Sequence, residues 1–357
     1  MNLDIFSEFP KIDLENMIVQ VDSLPGQLQD AWDLGNQLSL PDWKDIKYVL
    51  VAGMGGSAIG ADLLRAYAAP LCKVPLIVNR DYELPAWISG SEALVIASSH
   101  SGNTEETLSA LKTADERQCR VLALATGGKI EALARSINIP FWQFSHAGQP
   151  RAAVGFSFGL LLSAFCRLGL IPDPEEELED AIQAMVQQQA DLRVEVPVVH
   201  NPAKRIAGQL AGRWVTVLGS GLLAPVARRW KGQVSEIAKA WAQFEFLPEA
   251  NHNSLAGIQY PESMLSNMAV IFLTSGSDHP RNLLRSRLTR DILMVEGIGT
   301  DTIESQGHTR LAHQWTSLHF GDYVAFYLAM MYGVDPTPVA AIESFKLGML
   351  EVGGDWG

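Results

Sequence analysis

The sequence predicts an α/β fold: two doubly wound parallel sheets related by internal duplication, with a helical C-terminal tail. Three observations predict it. Apolar runs of strand length alternate with helix-period segments, the pattern of parallel strands covered by helices on both faces. Two of these runs end in Gly/Ser-rich turns, at 53–60 and 98–106. The same succession returns at 214–222 and 269–277, as duplication of one module would produce.

In chain order, residues 1–45 read as an amphipathic helical lead-in. Ile18, Val21, Leu24 and Leu28 recur at near-helical spacing, and Pro25-Gly26 interrupts them. A buried strand over 46–52 runs into Gly53-Met54-Gly55-Gly56-Ser57-Ala58-Ile59-Gly60, with a helix expected over 61–69. Further strands are expected at 74–78, 94–97, 121–125 and 140–144, with helices over 107–114 and near 130–136. The apolar segment 152–171 is broken by Ser157, Ser163 and Arg167, so it reads as a buried helix and not a membrane span. Asp173-Pro174-Glu175-Glu176 carries helix-start chemistry for a helix reaching about residue 193. Strands at 214–218 and 269–273 then repeat the first half, and helices over 316–332 and 339–350 form the tail. The division expected is 1–172 and 173–357.

The 357 residues, 47% hydrophobic, suffice for two domains. The formal net charge of −13 argues against nucleic acid or an anionic membrane as partner. Cys72, Cys119 and Cys166 are odd in number and widely spaced, which fits a reducing, cytoplasmic compartment. The N-terminus, with Asp4, Glu8 and Asp13, shows no signal-peptide pattern.

The stretch Ser98-Ser99-His100-Ser101-Gly102-Asn103-Thr104-Glu105-Glu106 organises the rest. It is a strand-to-helix turn, offering free N–H groups, a positive helix end and several hydroxyls. Ser101 or Thr104 could serve as an ordinary cap. Four hydroxyls around a Gly-Asn bend exceed that need and point to a phosphate site. Gly53-x-Gly55-x-x-Ala58 formally matches a dinucleotide fingerprint, but Asp81 is poorly placed as its acid. The better reading makes Gly55, Gly56 and Ser57 one wall of a sugar-phosphate site. Local pattern alone makes Glu236 a surface carboxylate and His252 a turn residue. No histidine pair has metal-ligand spacing, and neither GxSxG nor a P-loop is present, so no metal is expected.

These motifs resemble those of the bifunctional phosphoglucose/phosphomannose isomerases of the sugar isomerase (SIS) fold. The carriers are the 53–60 loop, the 99–107 turn, Pro150-Arg151, Lys231-Gly232-Gln233 with Glu236, Asn251-His252-Asn253, and Lys346. The resemblance implies that Ser99, Ser101 and Thr104 hold a sugar 6-phosphate while Gly55, Gly56 and Ser57 line the sugar. It makes Glu236 the base moving a proton between C1 and C2, and Arg151 the enediolate stabiliser. His252 would open the ring, reaching the site from the partner of a homodimer, and Lys346 would assist ring opening or touch substrate hydroxyls. No metal or organic cofactor is implied. His100 stands where the family often has an aromatic residue. Ser235 replaces a usual asparagine and bears on how Glu236 is oriented. The residue setting glucose or mannose preference stays open, with Thr337 one candidate among several. A non-catalytic sugar-phosphate-sensing module is the rival class, but it usually carries a basic DNA-binding segment, which is not apparent. An amidotransferase would need a glutaminase domain with a leading cysteine, which Met1-Asn2-Leu3 does not offer.

Overall fold

The computed structural model describes residues 2–352. The lead-in forms α1 (Met17–Asp22) and α2 (Leu24–Gln37). The break falls at Ser23, just ahead of Pro25-Gly26. Pro25 stands in the first turn of α2, where its missing N–H has no helical partner to lose.

Five strands follow, with helices between them: β1 (Tyr48–Ala52), α3 (Gly55–Ala68), β2 (Leu76–Asn79), β3 (Ala93–Ser98), α4 (Glu105–Glu116), β4 (Arg120–Ala125), α5 (Lys129–Ser136) and β5 (Phe141–Gln143). They make a parallel sheet in the order β2-β1-β3-β4-β5. Every residue of β3 is buried, which is why its sequence is an unbroken apolar run. The helix expected from residue 61 begins at Gly55, so the glycine loop is its own first turn.

A 3-10 turn (Pro150–Ala152) leads into α6 (Val154–Arg167), followed by α7 (Glu175–Leu192) and α8 (Pro202–Leu210). The second sheet is built from β6 (Trp214–Ser220), α9 (Ala224–Glu236), β7 (Ala242–Leu247), α10 (Glu262–Leu265), β8 (Met268–Thr274), α11 (Pro280–Val295) and β9 (Gly299–Glu304). Its order is β7-β6-β8-β9, again parallel, so β6 and β8 stand where β1 and β3 stand in the first. The tail is α12 (Arg310–Tyr332) and α13 (Ala340–Val352).

Two helices organise the core. α6 is buried from Val154 to Phe165 and packs on α2 and α3. α12 is buried from Leu311 to Met330 and packs on α7, α8 and α9. They meet edge-to-face at Phe158 and Trp315, with ring centroids 5.1 Å apart. The Gln314 amide donates to the carbonyls of Leu63 and Leu222 at 3.1 and 3.2 Å, joining the halves. Among the described residues no helix is long and apolar enough to cross a membrane. α13 leaves Ile342, Phe345, Leu347 and Met349 exposed, as α11 leaves Leu288, Ile292, Met294 and Val295.

Candidate active site

β1 pairs with β3, so the turns after them are neighbours at the carboxyl edge of the first sheet, where the strand order reverses. Ser99 is buried, its Oγ 2.9 Å from Thr104 Oγ1 and 3.1 Å from the Gly102 N–H that it accepts. Ser101 is exposed and its Oγ accepts the Asn103 N–H at 3.3 Å. Thr104 enters α4 without a side-chain cap bond, so capping does not account for these hydroxyls. Gly102 sits at φ +68°, where a Cβ would stand 1.8 Å from the Gly127 carbonyl oxygen, and only glycine permits this bend. A Cβ on Gly56 would stand 2.6 Å from the Pro150 carbonyl oxygen. The glycine loop therefore lies directly against the turn that carries Arg151, with Ser57 buried one residue on.

His100 turns away toward His146, Nε2 to Nδ1 3.1 Å, between Phe144 and Phe156. Burial, then the neighbouring imidazole, pull His100 down to about 4, and burial lowers His146 as well. The pair is neutral at neutral pH and brings no positive charge to the turn.

Arg151 is buried. One Nη lies 3.7 Å from a carboxylate oxygen of Glu236, the last residue of α9, whose side chain is 34% exposed. The other Nη donates to the Pro336 carbonyl at 3.0 Å and to the Thr337 carbonyl. Burial pulls the Arg151 pKa down and the Glu236 carboxylate pushes it back up; a guanidinium keeps its charge throughout. Arg151 Nε and Thr337 Oγ1 are buried with no hydrogen-bond partner.

Beneath this pair lies a network the sequence does not advertise. Arg229 Nη2 donates to the Arg151 carbonyl at 3.0 Å and pairs with Asp322 at 2.6 Å, and Gln233 donates to Asp322 at 3.0 Å. Burial pushes the Asp322 carboxyl up, while Arg229 and Gln233 hold it down. The one hint in sequence is an acid amid the apolar run of α12. His252 and Lys346 are not drawn into this cluster. His252 is exposed on a 3-10 turn that leans on α11 through Asn251 and Thr289, 2.7 Å apart. Lys346 is exposed on α13, though Glu343 of the same helix is near enough for its charge to act on Arg151.

The turn after β8 is the counterpart of the hydroxyl turn after β3, and it is filled from within. The buried Asp278 carboxylate accepts the Ser220 hydroxyl at 3.0 Å and the Ser275 N–H at 2.9 Å. His313 Nδ1 faces Ser275 and Ser277 hydroxyls at 3.1 and 2.8 Å.

Two parallel sheets, with paired hydroxyl and glycine turns on one and a carboxylate–guanidinium pair beside them, define a tandem sugar-isomerase (SIS) protein. Residues 199–349 match the bacterial phospho-glucose isomerase C-terminal SIS domain. A bifunctional phosphoglucose/phosphomannose isomerase from Caldicellulosiruptor bescii is 39% identical, over 94% of this chain and 99% of that protein. One from Aquifex aeolicus is 32% identical, over 85% of this chain and 93% of that protein. A solved glucose-6-phosphate isomerase like protein from Thermus thermophilus shares the fold, with a TM-score of 0.64 at 21% identity, covering 94% of this chain and 98% of that one. The chain belongs to the bifunctional phosphoglucose/phosphomannose isomerase family, and it is an isomerase.

Proposed function

We propose that the protein interconverts fructose 6-phosphate with glucose 6-phosphate and with mannose 6-phosphate through an enediolate. The observation that carries this reading is the Arg151–Glu236 approach of 3.7 Å, set against the glycine loop. Ser99, Ser101, Thr104 and turn N–H groups hold the phosphate, and Gly55, Gly56 and Ser57 line the sugar. Anchoring the phosphate places C1 and C2 before Glu236. One carboxylate within reach of both carbons takes a proton from one and returns it to the other. The charge that develops on the enediolate oxygen is met by the fixed guanidinium of Arg151. The unpartnered Arg151 Nε and Thr337 Oγ1 fit a site that hydrogen-bonds a polyhydroxyl ligand, with Thr337 one candidate for epimer preference.

Ring opening needs a proton shuttle near neutral pH, which suits the His252 imidazole. Its exposed position fits delivery to the site of a second copy in a homodimer, and the exposed apolar side chains of α13 fit the same assembly. Lys346 assists at ring opening or contacts substrate hydroxyls. The chemistry asks for proton transfer and charge stabilisation only, which these side chains supply without metal or organic cofactor. Three unpaired cysteines and an acidic chain fit a reducing cytoplasm.

The test is a coupled assay of the purified protein on fructose 6-phosphate, scoring glucose 6-phosphate and mannose 6-phosphate separately, with and without EDTA. Both products are expected, at rates that EDTA leaves unchanged. Sugar-phosphate binding with no turnover would restore the regulatory reading, and loss of one product would remove dual specificity. Ser99→Ala with Thr104→Ala is expected to raise KM by about tenfold or more. A hydrogen bond to a charged group contributes about 1.5–3 kcal/mol. kcat should move far less, and an unchanged KM would place the phosphate elsewhere.

A further inference from the structure

Lys239 lies three residues beyond Glu236, just past the end of α9. Its backbone is left-handed, at φ +55°, a conformation that helix ends normally give to glycine or asparagine. A lysine kept in that conformation is a reason to ask what its side chain does. Nζ donates to the Glu236 carbonyl at 2.5 Å and to the Pro336 carbonyl at 3.1 Å. The Pro336 carbonyl is also the one that Arg151 Nη2 holds at 3.0 Å. Two cations thus converge on one carbonyl. They repel each other, so their meeting is imposed by the two things they hold in common: the 335–337 loop and the end of the Glu236 helix.

We propose that Lys239 is a positioning residue for the isomerase reaction, tying the 335–337 loop to the end of α9 and so setting where the Arg151 guanidinium stands relative to Glu236. The proposal rests on the reading that Arg151 and Glu236 flank the reacting carbons. An ammonium at a helix carboxyl end is favoured by the free carbonyls there, which suits Lys239 to close α9 just where the carboxylate is presented. The charged groups around it are Glu236 on its own helix end, Arg151 on the 3-10 turn, and Asp335 on the loop. Arg213 lines the same surface groove. Burial and then Arg151 lower the Lys239 pKa to about 8, against the pull of Asp335 and Glu236. The amine is charged at neutral pH and loses its proton as pH rises through about 8. Its grip on the two carbonyls then weakens, and the loop carrying Pro336 is held by Arg151 alone.

The experiment measures kcat and KM on fructose 6-phosphate from pH 6 to 10 for the full chain and for Lys239→Met, Lys239→Arg and Glu236→Gln. Lys239→Met is expected to lower kcat roughly tenfold to a hundredfold, as misplacement of reacting groups does. Its KM should stay near that of the parent, because the phosphate turn is untouched. The parent's kcat should fall above about pH 8, and Lys239→Arg should carry its rate to higher pH, since guanidinium stays charged. A merely structural lysine would not move that alkaline limb. A Lys239→Arg profile superimposable on the parent's, or a Lys239→Met kcat equal to the parent's, overturns the proposal. If Lys239→Met does not fold, the Lys239→Arg limb decides alone. Turnover by Glu236→Gln sinks the role of Glu236 as base and is read independently of that limb.

Discussion

Glu236→Gln is expected to lose turnover by about 10²–10⁴-fold, the range that a positioned general base contributes. Glutamine keeps the shape and the hydrogen-bonding reach of glutamate but cannot take a proton. The hydroxyl turn proposed to hold the phosphate lies on the other sheet, so sugar-phosphate affinity should survive. Steady-state rates and a separate binding titration with fructose 6-phosphate check the two halves of the expectation. Near-normal turnover would remove Glu236 from the reaction. Loss of binding together with turnover would mean that the substitution had disturbed the site as a whole. The Arg151 guanidinium would then face a neutral amide at the position that now holds an anion 3.7 Å away.

Arg151→Lys should cost nearly as much, about 10²–10³-fold in kcat, the size of losing one fixed donor to a developing oxyanion. Lysine is not a conservative replacement at this position. The guanidinium holds the Pro336 and Thr337 carbonyls with one nitrogen while another faces Glu236. A single ammonium cannot span that fork. Thr337 is buried and takes its hydrogen bond from Arg151, while Lys239 still reaches the Pro336 carbonyl, so a Thr337 carbonyl left without its donor should also destabilise the fold by about 1–3 kcal/mol. Kinetics and a denaturant midpoint measure the two effects separately. Wild-type kcat in Arg151→Lys would show that the enediolate is met by another group.

How far the sequence discloses this molecule depends on where each residue's partners lie. β1, β3, β6 and β8 are central strands covered on both faces, and their unbroken apolar runs announce them. β7 and β9 lie at sheet edges; Ala-Gln-Phe-Glu-Phe-Leu alternates polar with apolar side chains and Gly-Thr-Asp-Thr-Ile-Glu is mostly polar, so neither gives such a run. The hydroxyl turn is legible because its parts are consecutive. The Arg151–Glu236 pair is not: Glu236 looks like any carboxylate on a helix face until the fold brings a buried guanidinium from the other half against it. Arg229, Gln233 and Asp322 are hidden for the same reason, since their meaning lies in a contact between α9 and α12. Likewise Lys239 gains its role only where the 335–337 loop crosses the helix end.

The carboxylate of Asp278 has a consequence for how many substrates one chain can serve. Doubling a sheet would create two rival mouths for the same anion. In this chain the later mouth is plugged by a carboxyl group of its own, and an incoming phosphate would find both donors taken. The repeat therefore leaves a second sheet whose own turn is closed from within, and whose α9 brings Glu236 up to Arg151 of its neighbour.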